Sequence, residues 1–398
     1  MRKVTSLFLA VAMVATLLVG CGSTAATTDA PEATDAATAD VAADGEGFKV
    51  GGIGPVTGGA AVYGQAVKNG AELAIEEINA AGGVNGSQLV FKFEDDEHDA
   101  EKAVNAYNTL KDWNMQLLMG TVTSTPCVAV TEKTKEDNMY QLTPSGSAVP
   151  CVQYDNAFRV CFSDPNQGTA SAKYIGENKL ATKVAVIYDS SDVYSSGIYE
   201  KFAEEAKNQG IEIVAAEAFT ADNKTDFTTQ LLKAQNGGAE LVFLPIYYQE
   251  ATLILKQADT MGFATQFFGC DGLDGILGVE NFDTALAEGV MLLTPFAADA
   301  TDDLTKNFVD KYVSTYGDTP NQFAADAYDC IYVIKAAIEA ADAKPDMSTS
   351  DLCDAMVAQR TSSTMDGVTG ADMSWDESGA VSKTPKLVEI VNGEYVMQ

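Results

Sequence analysis

Basic residues and histidine are scarce in this chain of 398 residues. It has 25 lysines and arginines against 57 aspartates and glutamates, one histidine and a formal net charge of −32 at pH 7. So acidic a chain is repelled by the phosphates of nucleic acids and by anionic lipid headgroups. No cluster of lysines or arginines reverses this charge locally. Nucleic-acid binding is therefore excluded, and attachment to a membrane would have to rest on something other than charge.

Residue patterns typical of hydrolases and nucleotide-binding enzymes are missing as well. The only histidine, His98, lies in the acidic run 94–99, and there is no Ser-His-Asp set, HExxH or GxSxG pattern. The acidic run lacks the spacing of an EF-hand calcium loop, and segment 51–58 lacks the Lys-Ser/Thr pair of a phosphate-binding loop. We therefore expect no enzymatic activity, no metal site and no cofactor. The enzymatic alternative is a secreted enzyme that relies on carboxylates alone.

Long apolar runs are confined to the amino terminus. Arg2 and Lys3 precede an uncharged, mostly apolar run over residues 4–19, which is typical of a secretion signal and too short for a comfortable membrane span. Residues 18–21 read Leu-Val-Gly-Cys and resemble a bacterial lipobox. We predict a lipoprotein signal peptide over residues 1–20 and acylation of Cys21, which would anchor the chain to a membrane. The alternative is an ordinary signal peptide in which Cys21 has no role.

The segment after Cys21 is poor in large apolar residues. Residues 22–46 are almost entirely alanine, threonine, aspartate, glycine, serine, glutamate and proline. Such a composition does not bury enough apolar surface to offset the entropy of ordering. We predict a disordered tether over residues 21–46 and ordered structure from about Phe48.

Cysteine is present without the spacing of a metal or redox motif. None of the seven cysteines forms a CxxC pair, which argues against zinc clusters and thioredoxin-type chemistry. Apart from Cys21, six remain, at positions 127, 151, 161, 270, 330 and 353. An even number in an exported protein permits disulfides, and Cys151 and Cys161 are close enough in sequence to bridge across a turn. Free buried thiols are the alternative.

The remainder of the chain alternates short β-rich runs with longer runs of helical period. In the first unit, residues 48–53 predict a strand, residues 54–59 a turn, and the apolar residues from Val67 to Ile78 share one face of a helix that ends at Gly82. This alternation continues to a closing strand at 387–391 and predicts an α/β fold with parallel sheets flanked by helices. The length fits two lobes. Ligands of such sheets bind beyond the carboxyl ends of the strands.

Two hydroxyl-rich turns follow predicted strands. Segment 121–126 opens a helix and offers small hydroxyls and free N–H groups to an anion, although the same residues also serve as ordinary helix caps. Segment 143–147 is a second turn of this kind, with an ordinary loop as the alternative.

Acidic and aromatic residues follow other predicted strands. Asp271 is placed to hold an ammonium group through a charge-assisted hydrogen bond, although most Asp-Gly pairs only form turns. Tyr63, Tyr194 and Tyr247 are predicted in turns after strands, where they could line an apolar side chain or take part in ordinary packing.

Short motifs, in order along the chain from about Phe48 to its end, resemble those of the leucine/isoleucine/valine-binding proteins of ABC transporters. They occupy residues 53–58, 63–64, 70–74, 78–86, 95–96, 143–144, 164–168, 267–269, 271–272 and 375–376. The resemblance implies two Rossmann-like lobes joined by three strands, the type 1 periplasmic-binding fold, with crossings near Ser163, Pro295 and Pro385. The first lobe would then comprise residues 47–163 and 296–385, and the second residues 164–295 and 386–398.

The resemblance also implies a ligand site between the lobes. The carboxylate of a bound amino acid would meet Ser124 and Ser147, and its ammonium would meet Asp271 and the backbone carbonyl of Ser145. Gly146 belongs to the same turn and is part of the predicted site.

Three tyrosines also belong to the expected site, and the sequence differs from the family pattern at the turn, the acid and a pair of cysteine positions. The resemblance implies aromatic walls at Tyr63, Tyr194 and Tyr247. The family turn Thr-Pro-Ala-Ala-Thr is Thr-Pro-Ser-Gly-Ser here, and the acid is the shorter aspartate. His98 and Thr123 occupy the two positions that form a disulfide in some members.

The function implied is that of a monomeric, lipid-anchored, extracytoplasmic substrate-binding protein of an ABC importer. It would take a free amino acid, branched-chain or similar, and deliver it to a permease with its ATPase subunits. The alternatives are a lipoprotein of the same fold that senses amino acids or amides without transport, and a ligand such as a short peptide or another small carboxylate.

Overall fold

The structure is a computed structural model that describes residues 47–360 and 364–398. The predicted signal peptide, Cys21 and the whole of the predicted tether lie outside these residues. The first part of the described chain consists of β1 (Gly47–Gly54), α1 (Ala61–Ala80), β2 (Gln88–Asp95), α2 (Ala100–Asp112), β3 (Leu117–Gly120), α3 (Ser124–Asp137), β4 (Tyr140–Thr143) and β5 (Ala157–Arg159). Its five strands form one parallel sheet in the order β2-β1-β3-β4-β5.

The second part begins after β5 and builds another sheet. It consists of α4 (Asp164–Glu177), β6 (Lys183–Asp189), α5 (Val193–Asn208), β7 (Glu212–Phe219), α6 (Thr228–Asn236), β8 (Leu241–Leu244), α7 (Tyr248–Thr260), β9 (Gln266–Gly269) and β10 (Met291–Thr294). These five strands pair in parallel. The alternation predicted from hydrophobic patterning is confirmed in both parts.

The last part returns to the first sheet before it completes the second. It consists of α8 (Asp303–Tyr316), α9 (Gln322–Ala340), α10 (Thr349–Arg360), β11 (Thr364–Gly367), β12 (Gly370–Ser374), β13 (Lys386–Val391) and β14 (Glu394–Met397). Helix α9 packs on α1 and on the strands of the first sheet, and β13 joins β10 in the second sheet. The chain therefore passes between the two sheets three times, and each sheet with its helices forms one lobe.

One edge of the second sheet is antiparallel, unlike the parallel sheets that were predicted. Its full order is β14-β13-β10-β9-β8-β6-β7, in which β13 pairs antiparallel with both β10 and β14. The two-residue connection from β13 to β14 is Asn392–Gly393, and both residues have positive φ, at 53° and 77°. This is the sequence and geometry that a tight hairpin turn requires.

The helices lie close to the sheets because their apolar faces match the sheet surfaces. The predicted face of α1 is confirmed, since Val67 and Ile78 are 0% and 2% exposed. Gly70 sits where α1 crosses α9, and a Cβ atom there would lie 2.1 Å from the carbonyl oxygen of Ala324. Within residues 47–360 and 364–398, no helix combines the length and apolar character needed to span a bilayer.

Candidate functional site

The start of α3 brings together two of the predicted hydroxyl groups. Ser124 is the first residue of the helix, and its Oγ lies 3.4 Å from the Oγ of Ser147 and accepts a hydrogen bond of 3.2 Å from the amide of Ala148. Both serines are 1% exposed. A helix start leaves backbone N–H groups without intrahelical partners and favours negative charge. The two serines and the helix start therefore form a place that suits a carboxylate.

The second hydroxyl-rich turn is fixed by its own hydrogen bonds. The Thr143 hydroxyl donates to the carbonyl of Thr121 at 2.6 Å and accepts from the amide of Gly146 at 2.7 Å. The Ser145 hydroxyl donates to the carbonyl of Val122 at 2.6 Å, so it is not available to a ligand. These bonds hold the turn against the beginning of α3.

Gly146 has a steric reason to be glycine. A Cβ atom at this position would lie 2.7 Å from both the Sγ of Cys127 and the Oγ1 of Thr143. The turn can therefore lie this close to α3 only without a side chain at its centre.

Arg159 supports the second hydroxyl-rich turn, a contact that the sequence did not predict. It lies at the end of β5, is 2% exposed, and its guanidinium donates hydrogen bonds to the carbonyls of Ser147 and Ala148. A guanidinium presents several donors in a rigid fork, so it can hold two neighbouring carbonyls at once. Nothing in the local sequence connects Arg159 with the turn, because the contact forms only when β5 pairs beside β4.

The second lobe contributes an acid held by a tyrosine. Asp271 follows β9, is 4% exposed, and its Oδ1 accepts a hydrogen bond of 2.7 Å from the hydroxyl of Tyr194. The same hydroxyl accepts from the amide of Gly272 at 2.9 Å, and the amide of Asp271 donates to Oε1 of Gln167 at 3.1 Å. Burial raises the pKa of Asp271 to about 6, although the hydrogen bond from Tyr194 opposes the rise. A buried carboxylate of this kind favours a neighbouring cation.

Two of the three predicted tyrosines lie in helices and not in turns. Tyr63 belongs to α1 and Tyr194 to α5, while Tyr247 directly precedes α7. The prediction of turns was wrong for Tyr63 and Tyr194 because these helices begin close behind the preceding strands, so the segments thought to be turns include their first residues.

The three tyrosines nevertheless form one aromatic group. The rings of Tyr194 and Tyr247 stack with centroids 4.7 Å apart, and Tyr63 meets Tyr247 edge-on at 5.7 Å. The Tyr63 hydroxyl donates to the carbonyl of Gly272 and accepts from the amide of Tyr248 at 3.1 Å. Tyr63 therefore extends from the first lobe into the second and fixes the two against each other.

Other hydrogen bonds also join the lobes beside the site. The Thr125 hydroxyl donates to Oδ1 of Asp192 at 3.0 Å. The side-chain Nε2 of Gln322 donates to the carbonyl of Asp271 at 3.1 Å. The backbone N–H of Gln322 donates to Oδ2 of Asp274 at 2.9 Å. The lobes are thus in contact around the predicted residues.

His98 and Thr123 are paired in space. The His98 Nδ1 and the Thr123 Oγ1 are 2.8 Å apart, within hydrogen-bonding distance. These are the two positions at which the resemblance implies a disulfide in some family members. The imidazole also meets the ring of Tyr247 edge-on, with centroids 5.3 Å apart. Burial lowers the pKa of His98, and the nearby Lys224 adds to this effect. Both effects favour the neutral form of the ring.

Three buried polar side chains on the second lobe's side of the site have atoms without a hydrogen-bond partner among the described residues. Asp164 and Gln167 are 1% and 2% exposed, and neither Asp164 oxygen nor the Gln167 Nε2 has a hydrogen-bond partner among the described residues. The buried hydroxyl of Tyr247 also has none there. Burial raises the pKa of Asp164 well above its usual value; the hydroxyl of Ser147 opposes this rise and nearby Asp271 reinforces it. Sequence reasoning gave Asp164 and Gln167 no role, although both lie in a motif of the resemblance.

The cysteines and acids form no further centre among the described residues. All six described cysteines are buried and unpaired, so the possible bridge between Cys151 and Cys161 is not formed. In residues 47–360 and 364–398, no group of three or more histidine, cysteine, aspartate or glutamate side chains is placed to hold a metal ion.

Two open pockets lie away from the predicted site. One of about 440 Å³ is lined by Lys49, Gln116 and Met347, and another of about 580 Å³ by Lys173, Lys201 and others. Neither includes a predicted site residue, and neither sits beyond the carboxyl ends of the strands, where open α/β sheets bind their ligands.

Comparison with known proteins agrees with this geometry. The family model described as periplasmic binding protein matches residues 47–394. A Leu/Ile/Val-binding protein homologue of Brucella melitensis is 31% identical over 303 residues, which cover 75% of this chain and 80% of that protein. A leucine-, isoleucine-, valine-, threonine- and alanine-binding protein of Pseudomonas aeruginosa is 30% identical with the same coverage of both chains.

A solved structure gives the same result at the level of the fold. The branched-chain amino acid transporter substrate-binding protein of Streptococcus pneumoniae, in complex with isoleucine, superposes with a TM-score of 0.79 at 28% identity. The match covers 88% of this chain and all of that one. The two α/β lobes are therefore those of a type 1 periplasmic binding protein. The chain belongs to the periplasmic binding protein family, and its relatives in that family are solute-binding proteins of ABC transporters rather than enzymes.

Proposed function

We propose that this protein binds a free amino acid, branched-chain or similar, in the cleft between its lobes and delivers it to the permease of an ABC importer with its ATPase subunits. It acts as a monomer, outside the cytoplasmic membrane, and changes nothing in the ligand chemically. Two observations support the proposal: the Ser124 and Ser147 hydroxyls lie together at a helix start in the first lobe, and the second lobe holds the buried pair of Tyr194 and Asp271.

Each end of the amino acid has a complementary group in this arrangement. The carboxylate is bound by the hydroxyls of Ser124 and Ser147 and by the start of α3. The ammonium is bound by Asp271 and by the backbone carbonyl of Ser145. Gly146 keeps the turn close to the ligand, while Tyr63, Tyr194 and Tyr247 line the aromatic side of the cleft.

Capture follows from closure of the lobes. The ligand binds the first lobe, and the second lobe closes on it as a shift in the population of open and closed forms. The division into residues 47–163 with 296–385 and 164–295 with 386–398 defines the two moving bodies. A ligand lacking either charged end leaves buried partners unpaired, at a cost of about 1 to 3 kcal/mol for each.

The proposal includes attachment to the membrane by a lipid at the amino terminus. Cleavage after residue 20 and acylation of Cys21 would place the lobes on a tether of residues 21–46. The matched test is Cys21→Ser expressed in a bacterial host, which should move the protein from the membrane fraction to the soluble extracytoplasmic fraction. Unchanged membrane association would contradict the lipid anchor and leave amino acid binding untouched.

Calorimetric titration of the purified protein with amino acids tests the site. Ser124→Ala and Asp271→Ala should each abolish detectable binding, since each removes a partner of one charged end. The matched controls are Ser314→Ala and Asp310→Ala on the exposed surface of α8, which should bind as the parent does. Circular dichroism verifies the fold of all four. Unaltered affinity in both site variants would reject this assignment.

A further inference from the structure

Two cysteines from distant parts of the sequence meet at the beginning of α3. Cys127 lies on the first turn of α3, and Cys151 lies in the 3-10 helix Val149–Val152, which packs on α3. Both are 0% exposed, and they form a small buried cluster with Ala148. The Thr131 hydroxyl donates to the carbonyl of Cys127 at 2.8 Å and to that of Cys151 at 3.2 Å. One side chain therefore joins the backbones of the two cysteines.

Each sulfur atom also contacts the segments that hold the two serines of the first lobe. The Cys151 thiol donates to the carbonyl of Ser124 at 3.7 Å. The Cys127 sulfur lies where a Cβ atom on Gly146 would come within 2.7 Å of it. The proposed function gives neither thiol a role. A covalent bond between the two sulfurs would join α3 to the segment that follows the turn at 143–147.

The two thiols differ in acidity. Burial acts to raise the pKa of the Cys127 thiol, but a hydrogen bond from Cys151 and further bonds from neighbouring residues outweigh it and lower that pKa. Burial and the neighbouring Cys127 raise the pKa of Cys151 well above its usual value. Because the thiolate is the reactive form of cysteine, Cys127 is the thiol that reacts first, with a protonated thiol beside it.

The other described cysteines lack this combination. Burial raises the pKa of Cys161, Cys270 and Cys330 well above the usual value, and that of Cys353 to about 12. These four thiols are therefore held in the protonated form, which reacts slowly with oxidants.

We propose that Cys127 and Cys151 form a redox-sensitive site, at which a small peroxide converts the two thiols to a disulfide within the first lobe. The Cys127 thiolate attacks one oxygen of hydrogen peroxide, the O–O bond breaks, and a sulfenic acid forms on Cys127 as hydroxide leaves. The hydroxide takes up the proton that Cys127 released. The Cys151 thiol then attacks the Cys127 sulfur, the S–S bond forms and water leaves. The two thiols lose two electrons in total, and the peroxide is reduced to two molecules of water.

A small oxidant has a short way to this pair. Val149, which shares the 3-10 helix with Cys151, is 57% exposed, so this helix lies at the surface. Local opening of one short helix is enough to admit peroxide, and such openings need far less free energy than global unfolding.

The disulfide would stabilise the first lobe. It closes the loop between Cys127 and Cys151 and so restricts the unfolded chain. We expect the oxidised protein to have a thermal unfolding midpoint about 5 °C above that of the reduced protein. An equal or lower midpoint would overturn the inference that the bridge fits the folded lobe.

Peroxide treatment of the purified protein tests the site itself. The protein carries Cys21→Ser, which removes the thiol outside the described residues. After reduction and removal of the reductant, it is incubated with hydrogen peroxide at pH 7, denatured, alkylated with iodoacetamide and digested for mass spectrometry. We expect one pair of peptides linked through Cys127 and Cys151, with the other described cysteines alkylated. Alkylation of both members of the pair, or a bridge from either of them to another cysteine, would overturn the proposal.

Two variants of that protein separate the roles of the two thiols. Cys151→Ser removes the thiol that closes the bridge, so peroxide should leave a sulfenic acid on Cys127 that dimedone labels. The matched control is Cys330→Ser, which removes another buried thiol and should form the bridge as its parent does. An unmodified Cys127 thiol in Cys151→Ser, or loss of the bridge in Cys330→Ser, would contradict the assignment. The peptide mapping in the parent needs no substitution at either cysteine of the pair, so it decides the question even if a variant fails to fold.

Discussion

The two lobes differ in how completely the buried polar groups of the predicted site are paired by hydrogen bonds. On the first lobe, the turn at 143–147 and the start of α3 are joined by short hydrogen bonds and held by Arg159. On the second lobe, burial raises the pKa of Asp271 to about 6. Atoms of Asp164, Gln167 and Tyr247 are buried there without a hydrogen-bond partner among residues 47–360 and 364–398. In the proposed function, the first lobe is therefore preorganised for the carboxylate of the amino acid. The second lobe therefore carries buried polar groups that are not fully paired, and such groups lower its stability.

The largest expected effect is loss of the first half's preorganisation through Arg159→Met. The variant removes the guanidinium that donates to the carbonyls of Ser147 and Ala148, although the Ser147 carbonyl still accepts from the amide of Asp164. Hydrogen bonds from a charged group contribute about 1.5 to 3 kcal/mol each. We expect the free energy of unfolding in urea to fall by about 3 kcal/mol, and ligand affinity to fall with it. Lys133→Met, at a partly exposed position of α3, is the control. Full affinity and stability in Arg159→Met would mean that the turn does not need this residue.

A second prediction concerns the pH dependence of ligand binding. Asp271 must be ionised to hold an ammonium, and its pKa of about 6 means that protons compete below that pH. Affinity measured by calorimetry should therefore fall about tenfold between pH 7 and pH 5, because only about a tenth of the carboxyls are ionised at pH 5. Affinity that stays constant over this range would show that no acid of raised pKa binds the ligand's cation.

The ligand-free protein should respond to pH in the opposite direction. Burial raises the pKa values of Asp192, Asp271 and Asp274 to about 6, above the value of about 3.9 in an unfolded chain. The folded state therefore binds more protons between these values, and its stability decreases as pH rises through them. Urea unfolding should give a higher stability at pH 5.5 than at pH 7.5 without ligand. Saturating ligand should reduce the difference, and a ligand-free protein more stable at pH 7.5 would contradict this account.

The sequence predicted the elements better than the contacts between them. Runs of apolar residues and the glycine pair after α1 located most strands and helices. The site depends on hydrogen bonds between residues far apart in sequence, such as the bond from Tyr194 to Asp271, which are 77 residues apart. The resemblance supplied Ser124, Ser147 and Asp271, whereas the contact of Arg159 with the turn could not be predicted because it depends on the pairing of β5 with β4. The antiparallel edge formed by β13 and β14 was missed, although its Asn-Gly turn was a usable signal.

The smallest expected effect belongs to the contact between the halves. Thr125→Val removes the hydrogen bond to Asp192 across the lobes and keeps the shape of the side chain. Because a partly exposed hydrogen bond contributes about 0.5 to 1.5 kcal/mol, affinity should fall about threefold to fivefold with no loss of the fold. Thr109→Val on the exposed face of α2 is the control. Equal affinities of the two variants would show that this contact does not contribute to closure.

The most direct test is a crystal structure of the protein with its amino acid bound. The account predicts the ligand carboxylate within hydrogen-bonding distance of Ser124 and Ser147 at the start of α3. It places the ammonium on Asp271 and the side chain beside the rings of Tyr63, Tyr194 and Tyr247. A ligand in the reverse orientation, or bound outside the cleft between the two sheets, would contradict it.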